Sequence, residues 1–362
     1  MKYIDEYSDS GTIDNILGKV SELASKISRP VRIMEVCGTH TMNIGRSGLR
    51  KSLPDNIGLL SGPGCPVCVT PPEYLSAVMG LLEGGAIITT FGDMTRIPDS
   101  RGRKLSEFPE KRVKSVYSPA DALKIAKENS DKEVVFLGVG FETTAPLSAA
   151  VIDRAKKENI DNFSCFSSHK VMPPPLKVLA DDPECRIDGF LLPGHVSVVI
   201  GKKGYDGLDI SGAVAGFEPV DILIGIEEIL KQISREEKKV VNCYRRVVSE
   251  EGNTLMQDIL YKVFEPSDAK WRGVGSIPGS GLVLREEYSR WDTEKKFHLS
   301  MTAEAEPAGC RCGDVLKGTV VPPECGLFGN KCTPENPVGP CMVSSEGACN
   351  AYYRYEVFKK DE

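Results

Sequence analysis

Short apolar runs alternate with amphipathic stretches along residues 31–235 of this chain. The apolar runs are rich in β-branched and aromatic residues and end at glycine, proline or polar positions, which is the pattern of buried strands. They predict seven strands, at residues 31–36, 57–60, 86–91, 134–139, 163–166, 190–192 and 220–224.

Between these strands, apolar side chains recur at helical spacing. They predict helices at residues 72–82, 119–128 and 145–157. Strands that alternate with helices form parallel sheets that are covered by helices on both faces. The pattern therefore predicts an α/β fold.

Two parts of this region resemble each other. The sequence GLLSGPGC at residues 58–65 matches GFLLPGH at residues 189–195, and both stand at the end of a predicted strand. An internal repeat of this kind predicts two similar lobes, each with a parallel sheet flanked by helices. We expect the lobes at residues 31–120 and 121–240.

The pattern changes after residue 240. A helix is predicted at residues 254–264, and a glycine- and proline-rich stretch follows at residues 273–281. Beyond it, cysteines stand among glycines and prolines in a loop-rich segment that buries too little apolar surface to be held by a core alone. We expect residues 241–362 to form a helical, cysteine-rich iron–sulfur domain, and a helix within residues 1–30 to pack on it.

Composition restricts the function. The chain has 45 Lys and Arg against 51 Asp and Glu, a formal net charge of −6, which argues against nucleic-acid binding because phosphate contacts need clustered cations. No stretch reaches the roughly 18 uncharged apolar residues of a membrane helix. The first 14 residues also lack the apolar core of a signal peptide. We therefore expect a cytoplasmic protein with no membrane segment.

The twelve cysteines indicate metal binding or thiol redox chemistry, because structural disulfides are rare in a reducing cytoplasm. Zinc favours closely spaced pairs of cysteines, whereas a 4Fe-4S cluster takes four thiolates at irregular spacing. The C-terminal spacing therefore predicts a 4Fe-4S cluster and leaves two thiols over for a redox pair, although spacing does not select the four ligands, and a zinc or disulfide staple is the alternative. The six cysteines are Cys310, Cys312, Cys325, Cys332, Cys341 and Cys349.

A final helix is predicted to begin after the sequence SSE at residues 344–346. Cys349 would then lie in the first turn of that helix. A helix N-terminus stabilises negative charge, so this position suits a thiolate that binds an anionic cluster.

A second group of thiols follows predicted strands near the N-terminus. Cys37 and His40 stand after the first strand, where a thiolate and an imidazole can bind a transition metal or share a proton. Cys65 and Cys68 form a C-x-x-C pair after the second strand, a spacing that permits a disulfide or metal binding. The sequence TPPE at residues 70–73 reads as a capping box, so a helix would begin just past Cys68 and lower the pKa of nearby thiols.

The turn at residues 138–146, GVGFETTAP, is an incomplete form of the glycine-rich phosphate loop, and it leaves weak nucleotide hydrolysis open. Glu142 in this turn is a candidate carboxylate of the cleft. His169 and His195 follow later strands and either face the same cleft or are ordinary turn histidines.

Taken together, these motifs resemble the HypD family of hydrogenase maturation factors. The resemblance covers residues 13–355 and rests, in order, on CGTHT at residues 37–41, GPGCPVC at 62–68, GFETTAP at 140–146, SHK at 168–170, PGH at 193–195 and the terminal cysteines.

The resemblance implies a scaffold that pairs with the small chaperone HypC. On it, an iron atom would receive cyanide and carbon monoxide ligands for a nickel–iron hydrogenase. Cyanide would arrive as a thiocyanate on HypE, which HypF supplies with a carbamoyl group. Cys37 would bind the iron with His40 beside it, and Cys65 and Cys68 would be a switchable redox pair that can also touch the iron.

The resemblance also implies roles for the C-terminal cysteines, in an arrangement similar to ferredoxin:thioredoxin reductase. Cleavage of an S–C≡N group needs two electrons, and a dithiol next to a one-electron cluster can supply them by thiol–disulfide exchange. The implied cluster ligands are Cys310, Cys325, Cys332 and Cys349, and the implied redox pair is Cys312 and Cys341.

Two other classes of protein remain open at this point. One is a free-standing thiol–disulfide oxidoreductase with an iron–sulfur cluster, which would use Cys65 and Cys68 on a disulfide substrate. The other is a zinc-stapled interaction module without redox activity.

Overall fold

The computed structural model describes residues 9–357. Within this range the strands are β1 Val31–Glu35, β2 Ile57–Ser61, β3 Ile87–Thr90, β4 Val113–Ser115, β5 Val134–Gly140, β6 Phe163–His169, β7 Gly189–Pro193, β8 Gly212–Ala215, β9 Val240–Asn242, β10 Phe264–Trp271 and β11 Gly275–Leu284. The α-helices are α1 Ser10–Ser25, α2 Gly38–Ser47, α3 Leu49–Ser52, α4 Pro66–Val69, α5 Pro72–Glu83, α6 Pro119–Glu128, α7 Ala145–Lys157, α8 Pro173–Asp181, α9 Gly194–Ile200, α10 Pro219–Ser234, α11 Thr254–Val263, α12 Thr293–Lys296, α13 Cys312–Leu316 and α14 Ala348–Tyr352.

Nine strands form two parallel sheets. The first sheet has the order β2-β1-β7-β8-β9, and the second has the order β4-β3-β5-β6. Helices flank both sheets, β10 and β11 form an antiparallel hairpin, and the loop-rich cysteine region follows. The predicted α/β class, with two parallel sheets flanked by helices and a cysteine-rich C-terminal region, is confirmed.

The two sheets interleave along the chain. The chain leaves the first sheet after β2, builds the whole second sheet with β3 to β6, and returns to the first sheet at β7. Strand β7 lies beside β1, so the two repeated sequences after β2 and β7 stand on either side of one central strand. The predicted lobes at residues 31–120 and 121–240 thus each contain strands of both sheets.

The first sheet buries both of its faces. Successive side chains of a strand point to opposite faces, so Ile33 packs under α1 and α10 while Met34 packs toward the cysteine region. The apolar side of α1 buries Ile16 and Val20 against α10. We expected this N-terminal helix on the C-terminal region, and the structure instead places it on the opposite face of the sheet.

The second sheet is also covered on both sides. One face packs on α6, α7 and the end of β11, with Phe136 and Phe163 at its centre. The other face packs on α5, with Ile88 and Leu137 buried. Burial on both faces explains why these strands appear in the sequence as continuous apolar runs.

One predicted strand is wrong. Residues 220–224 lie inside α10, a helix of 16 residues that begins at Pro219. Its β-branched run resembles a strand, but Ile222, Ile226 and Ile229 recur at helical spacing and bury one face against the sheet. The strand of this region is β8, whose four residues GAVA are too few and too small to stand out as an apolar run.

The glycine- and proline-rich stretch at residues 273–281 is not a loop throughout. Most of it is strand β11, which pairs with β10 through a register shift between Ser267 and Ala269. Glycine weakens a strand on its own, and the partner strand stabilises it here. The predicted helix at residues 254–264 is confirmed as α11, one residue shorter.

Among residues 9–357, none of the helices combines the length and the apolar character that a membrane span requires.

Candidate functional site

A cleft of about 660 Å³ opens where the carboxyl ends of strands from both sheets meet. Parallel sheets place their ligand sites at this end of the strands. Residues after β1, β5 and β7 line the cleft, among them Cys37, Phe141 and His195. Gly64 and Pro66, after β2, also line it, so the structure brings parts of four sequence motifs together in one cleft.

Cys37 lies at the N-terminus of α2, with its backbone in an extended conformation that ends β1. Burial, and to a smaller extent the nearby Glu346 carboxylate, raise the pKa of its thiol to about 11, although the N–H groups of Thr39 and His40 oppose both effects. A buried thiol of this kind loses its proton when a metal cation binds it, because the cation replaces the lost solvation.

The turn that carries Cys65 lies directly on Cys37. A Cβ atom on Gly64 would come within 2.3 Å of the backbone nitrogen of Cys37, and the Gly38 N–H donates to the Gly64 carbonyl at 3.3 Å. Only glycine allows this approach of two backbones. The two thiol-bearing turns are therefore fixed against each other.

His40 lies behind the cleft and is fully buried. Its Nε2 lies 2.8 Å from the Gly216 carbonyl, so Nε2 carries the proton and donates it, and Nδ1 keeps its lone pair. Nδ1 has no hydrogen-bond partner among residues 9–357. Burial lowers the pKa of His40 to about 4, so the ring is neutral at pH 7.

His195 shares an aromatic platform with His40. The ring of Phe217 stacks on His195 at 3.9 Å between centroids and contacts His40 at 4.8 Å. Phe217 thus sets the position of both imidazoles. Sequence reasoning missed this residue, because a single aromatic residue before a helix carries no signal for a site.

Cys65 and Cys68 lie beneath the cleft wall. Cys65 precedes α4 and Cys68 lies within it, and their exposed fractions are 4% and 0%. The predicted capping box is wrong: the Thr70 hydroxyl donates to the Pro66 carbonyl, and α5 begins at Pro72 without a side-chain cap. The expected lowering of thiol pKa is also wrong for Cys68, since burial raises its pKa.

Neighbouring thiols connect this turn to the C-terminal region. The thiols of Cys65 and Cys341 both lie close enough to the Cys68 thiol to influence its pKa. The Cys341 thiol in turn neighbours Cys312, which neighbours Cys310. All twelve cysteines are thiols in the structure.

The six C-terminal cysteines all line one cavity, together with apolar side chains such as Leu327, Phe328 and Met342. The prediction that Cys349 lies in the first turn of a final helix is confirmed, although Gly347, and not the SSE sequence, precedes that helix. Soft thiol donors in an apolar enclosure have the chemistry of an iron–sulfur site.

The cavity does not single out a set of ligands. Within residues 9–357, no three Cys, His, Asp or Glu side chains converge in a way that would hold a single metal ion. A 4Fe-4S cluster binds each thiolate to a different iron, so its ligands surround the cluster and need not meet at one point. The donor set is therefore compatible with an iron–sulfur cofactor.

Glu142 does not line the main cleft, although its neighbours Phe141 and Thr143 do. Its carboxylate faces a second cavity of about 230 Å³, where one oxygen accepts the Met172 N–H at 2.8 Å. The other oxygen has no partner among the described residues. Burial raises the pKa of Glu142 to about 7.

His169 is a buried structural residue. Its ring nitrogens lie 3.1 Å from the Ser148 hydroxyl and 3.2 Å from the Ser167 hydroxyl. A Cβ on Gly138 would strike this ring, and one on Gly140 would strike Thr144. The glycines of this turn thus make room for the protein's own side chains.

Glu346 is a cleft residue that sequence reasoning treated only as part of a helix cap. Its carboxylate accepts the Thr39 hydroxyl at 2.7 Å and faces the Cys37 thiol. Its position three residues before Cys349 was the one available signal.

Comparisons with known proteins agree with these motifs. The model of the HypD family, described as the hydrogenase formation hypA family, matches residues 11–356. The chain belongs to the HypD family.

The hydrogenase maturation factor HypD of Escherichia coli K12 is 42% identical over 366 residues, which cover 98% of each chain. HypD of Rhodobacter capsulatus is 42% identical over 373 residues and also covers 98% of each. A putative hydrogenase expression/formation protein of Methanocaldococcus jannaschii is 42% identical over 353 residues, or 96% of this chain and 98% of that protein.

Membership in the HypD family supports a role in hydrogenase maturation. Such a role implies partner proteins of the maturation pathway.

Proposed function

We propose that this chain is a thiol-redox scaffold on which the Fe(CN)2CO unit of a nickel–iron hydrogenase is assembled in the cytoplasm. It would act with a HypC-type chaperone and receive cyanide from a HypE-type donor. The observation that carries the proposal is the series of neighbouring thiols that runs from the Cys65–Cys68 turn beneath the cleft wall, through Cys341, to the C-terminal cavity.

Cys37 would bind the iron that is being assembled. It is the cysteine that lines the cleft, and a soft thiolate suits iron that carries cyanide. One cysteine leaves most coordination positions free, which a partner's thiolate and the incoming ligands would fill. The Glu346 carboxylate, which lines the cleft beside the Cys37 thiol, would take up the proton that Cys37 loses.

Cys65 and Cys68 would reduce the thiocyanate. Two thiols and R–S–C≡N give one disulfide, R–SH, cyanide and one proton, so the two electrons come from the pair. Cyanide passes to the iron, and the remaining proton passes to a base of the cleft. The pair lies next to Cys37 through the Gly64 contact, which suits this transfer.

The C-terminal thiols would then restore the pair. A 4Fe-4S cluster supplies electrons one at a time, and Cys310, Cys325, Cys332 and Cys349 would hold it. Cys312 and Cys341 would be the dithiol that converts single electrons into a two-electron exchange. Cys341 is the thiol that neighbours Cys68, which suits this role.

The test is iron retention by the complex with a HypC-type chaperone. We expect Cys37→Ala to lose the scaffold iron while the visible absorbance of the cluster stays unchanged. Cys243→Ala is the matched control, since it removes a half-buried thiol outside the cleft and the C-terminal cavity. Retention of scaffold iron by Cys37→Ala would overturn the assignment of this ligand, and joint loss of iron and absorbance would indicate a folding defect.

The cluster itself is tested by iron, zinc and sulfide analysis of anaerobically purified protein. We expect about four irons and four sulfides, the content of one 4Fe-4S cluster. A colourless protein that contains zinc and cannot be reconstituted with iron would contradict the redox proposal. A free-standing oxidoreductase fits less well, because both thiols of the C-x-x-C pair are buried from a protein substrate.

A further inference from the structure

The turn between β10 and β11 lies between the two thiol-bearing segments. Trp271 ends β10 and is fully buried, and its ring stacks on Phe141 of the cleft at 5.8 Å. Arg272 follows with an exposed fraction of 3%. A guanidinium keeps its charge in proteins, so its burial requires close partners.

On one side, Arg272 binds the segment that carries Cys68. Its backbone N–H donates to the Val69 carbonyl at 2.9 Å, and its side-chain Nε donates to the Thr70 carbonyl at 2.8 Å. These two carbonyls follow Cys68 directly and end α4. Two bonds from one residue fix both the position and the direction of this chain end.

On the other side, the same turn binds the C-terminal cysteine region. Nη1 of Arg272 donates to Glu306 at 2.6 Å, four residues before Cys310. Gly273 packs on Gly313, which follows Cys312: a Cβ on Gly273 would lie 2.1 Å from the Gly313 Cα. One turn therefore contacts both thiol segments at positions adjacent to their cysteines.

We propose that Arg272 is a positioning residue that holds the Cys68 thiol within exchange distance of the Cys341 thiol. This inference rests on the proposed function and assigns the residue that couples its two dithiol pairs. A planar guanidinium can serve both segments because its donors point in different directions from one rigid group.

Arg272 would support a thiol–disulfide exchange in which the C-terminal pair, Cys312 and Cys341, reduces the Cys65–Cys68 disulfide. The Cys341 thiolate attacks Cys68 of a Cys65–Cys68 disulfide, which forms a Cys68–Cys341 bond and releases the Cys65 thiolate. Cys312 then attacks Cys341 and releases Cys68. Two electrons and two protons leave the C-terminal pair, and the Cys65 and Cys68 thiols are regenerated.

The experiment traps the mixed disulfide. In the full-length protein with Cys65→Ser and Cys312→Ser, diamide is added and the Cys68–Cys341 linkage is followed over time by peptide mass spectrometry. We expect Arg272→Gln to slow this linkage at least tenfold. Arg290→Gln is the control, since it removes an exposed arginine that pairs with Asp161, and it should leave the rate unchanged.

Glu306→Gln provides a second test that spares the buried contacts, because Glu306 is 36% exposed at its side chain. We expect it to slow the linkage several-fold in a protein with unchanged circular dichroism. If Arg272→Gln folds and forms the Cys68–Cys341 linkage at the parent rate, the inference is overturned. If Arg272→Gln does not fold, a parent rate of linkage in Glu306→Gln overturns it instead. Absence of the linkage in the parent itself would contradict the exchange route of the proposed function instead.

Discussion

Two buried side chains near the cleft are neutral at pH values where they would be charged in water. His169 and Glu142 are both excluded from solvent, and burial shifts the pKa of each toward its uncharged form. Because one is a base and the other an acid, they make the stability of the protein depend on pH in opposite directions.

His169 should destabilise the protein in acid. Burial lowers its pKa to about 3 in the folded state, against roughly 6.5 in an unfolded chain. Between these values only the unfolded chain binds the proton, so the free energy of unfolding falls as the pH drops below 6.5, by up to about 1.4 kcal/mol per pH unit. His169→Gln should reduce this slope in urea unfolding curves measured from pH 7 to pH 4.

The matched control is His298→Gln, which changes an exposed histidine. It should leave the slope as it is in the parent. An unaltered slope in His169→Gln would show that this ring does not remain neutral in the folded protein.

Glu142 should destabilise the protein at higher pH. Its folded pKa of about 7 lies above the roughly 4.3 of an unfolded glutamate, so the folded state holds a proton that the unfolded chain has lost. The contribution of this proton to the free energy of unfolding is fully present below pH 4.3 and is lost as the pH rises toward 7. Glu142→Gln should therefore gain stability relative to the parent as the pH is raised from 5 to 8, measured by urea unfolding. A difference that does not vary with pH would contradict the proton on Glu142.

At the scale of residues, the sequence located the reactive thiols but not their surroundings. Cys37 and the C-x-x-C pair were predicted because their spacing and their place after strands carry chemistry. Phe217 and Arg272 were not, because their role depends on contacts between segments distant in sequence. Glu142 was placed in the wrong cavity for the same reason, since a turn does not reveal which way its side chain points.

At the scale of elements, the contact between two turns fixes the geometry of the cleft. Gly64 has no room for a Cβ, because the backbone of Cys37 occupies that space. Gly64→Ala should therefore separate the two turns and lower stability by about 1–3 kcal/mol, the usual effect of overpacking. The measurement is the midpoint of urea unfolding, followed by iron retention in the complex with a HypC-type chaperone.

Gly58→Ala is the control for this change. It lies on β2, where the nearest atom to an added Cβ is 3.8 Å away, an ordinary contact. Its stability should match the parent within about 0.5 kcal/mol, the range of surface substitutions. Equal stability of the two alanine variants would mean that the turns can separate without cost.

Element boundaries followed from the sequence where the helical period of apolar residues was clear. Helices α6 and α7 begin and end at the predicted residues, and α6 carries a capping box on Ser118. The strands that were missed are short or made of small residues, such as β8, or are the polar and glycine-rich strands of the hairpin β10–β11, and all gain their stability from neighbours. Only the pairing of distant segments specifies them.

At the scale of the whole molecule, the interleaved sheets determine how the protein unfolds. The segment β3 to β6 forms the whole second sheet and is inserted between β2 and β7, so the first sheet is not made of one continuous segment. The sequence repeat predicted two lobes in succession, but a repeat does not reveal which strands pair.

The two tryptophans report on different parts of this arrangement. Trp271 packs in the core between the first sheet and the cysteine region, and Trp291 packs in a core of the second sheet. Because the chain crosses between the sheets twice, we expect both regions to unfold in one cooperative transition. Trp291→Phe leaves Trp271 as the one fluorescent reporter, and Trp271→Phe leaves Trp291. In each variant, the urea midpoint from tryptophan fluorescence should equal the midpoint from far-ultraviolet circular dichroism. Two separated midpoints within either variant would show that the sheets unfold independently, and the interleaved chain would then not couple them.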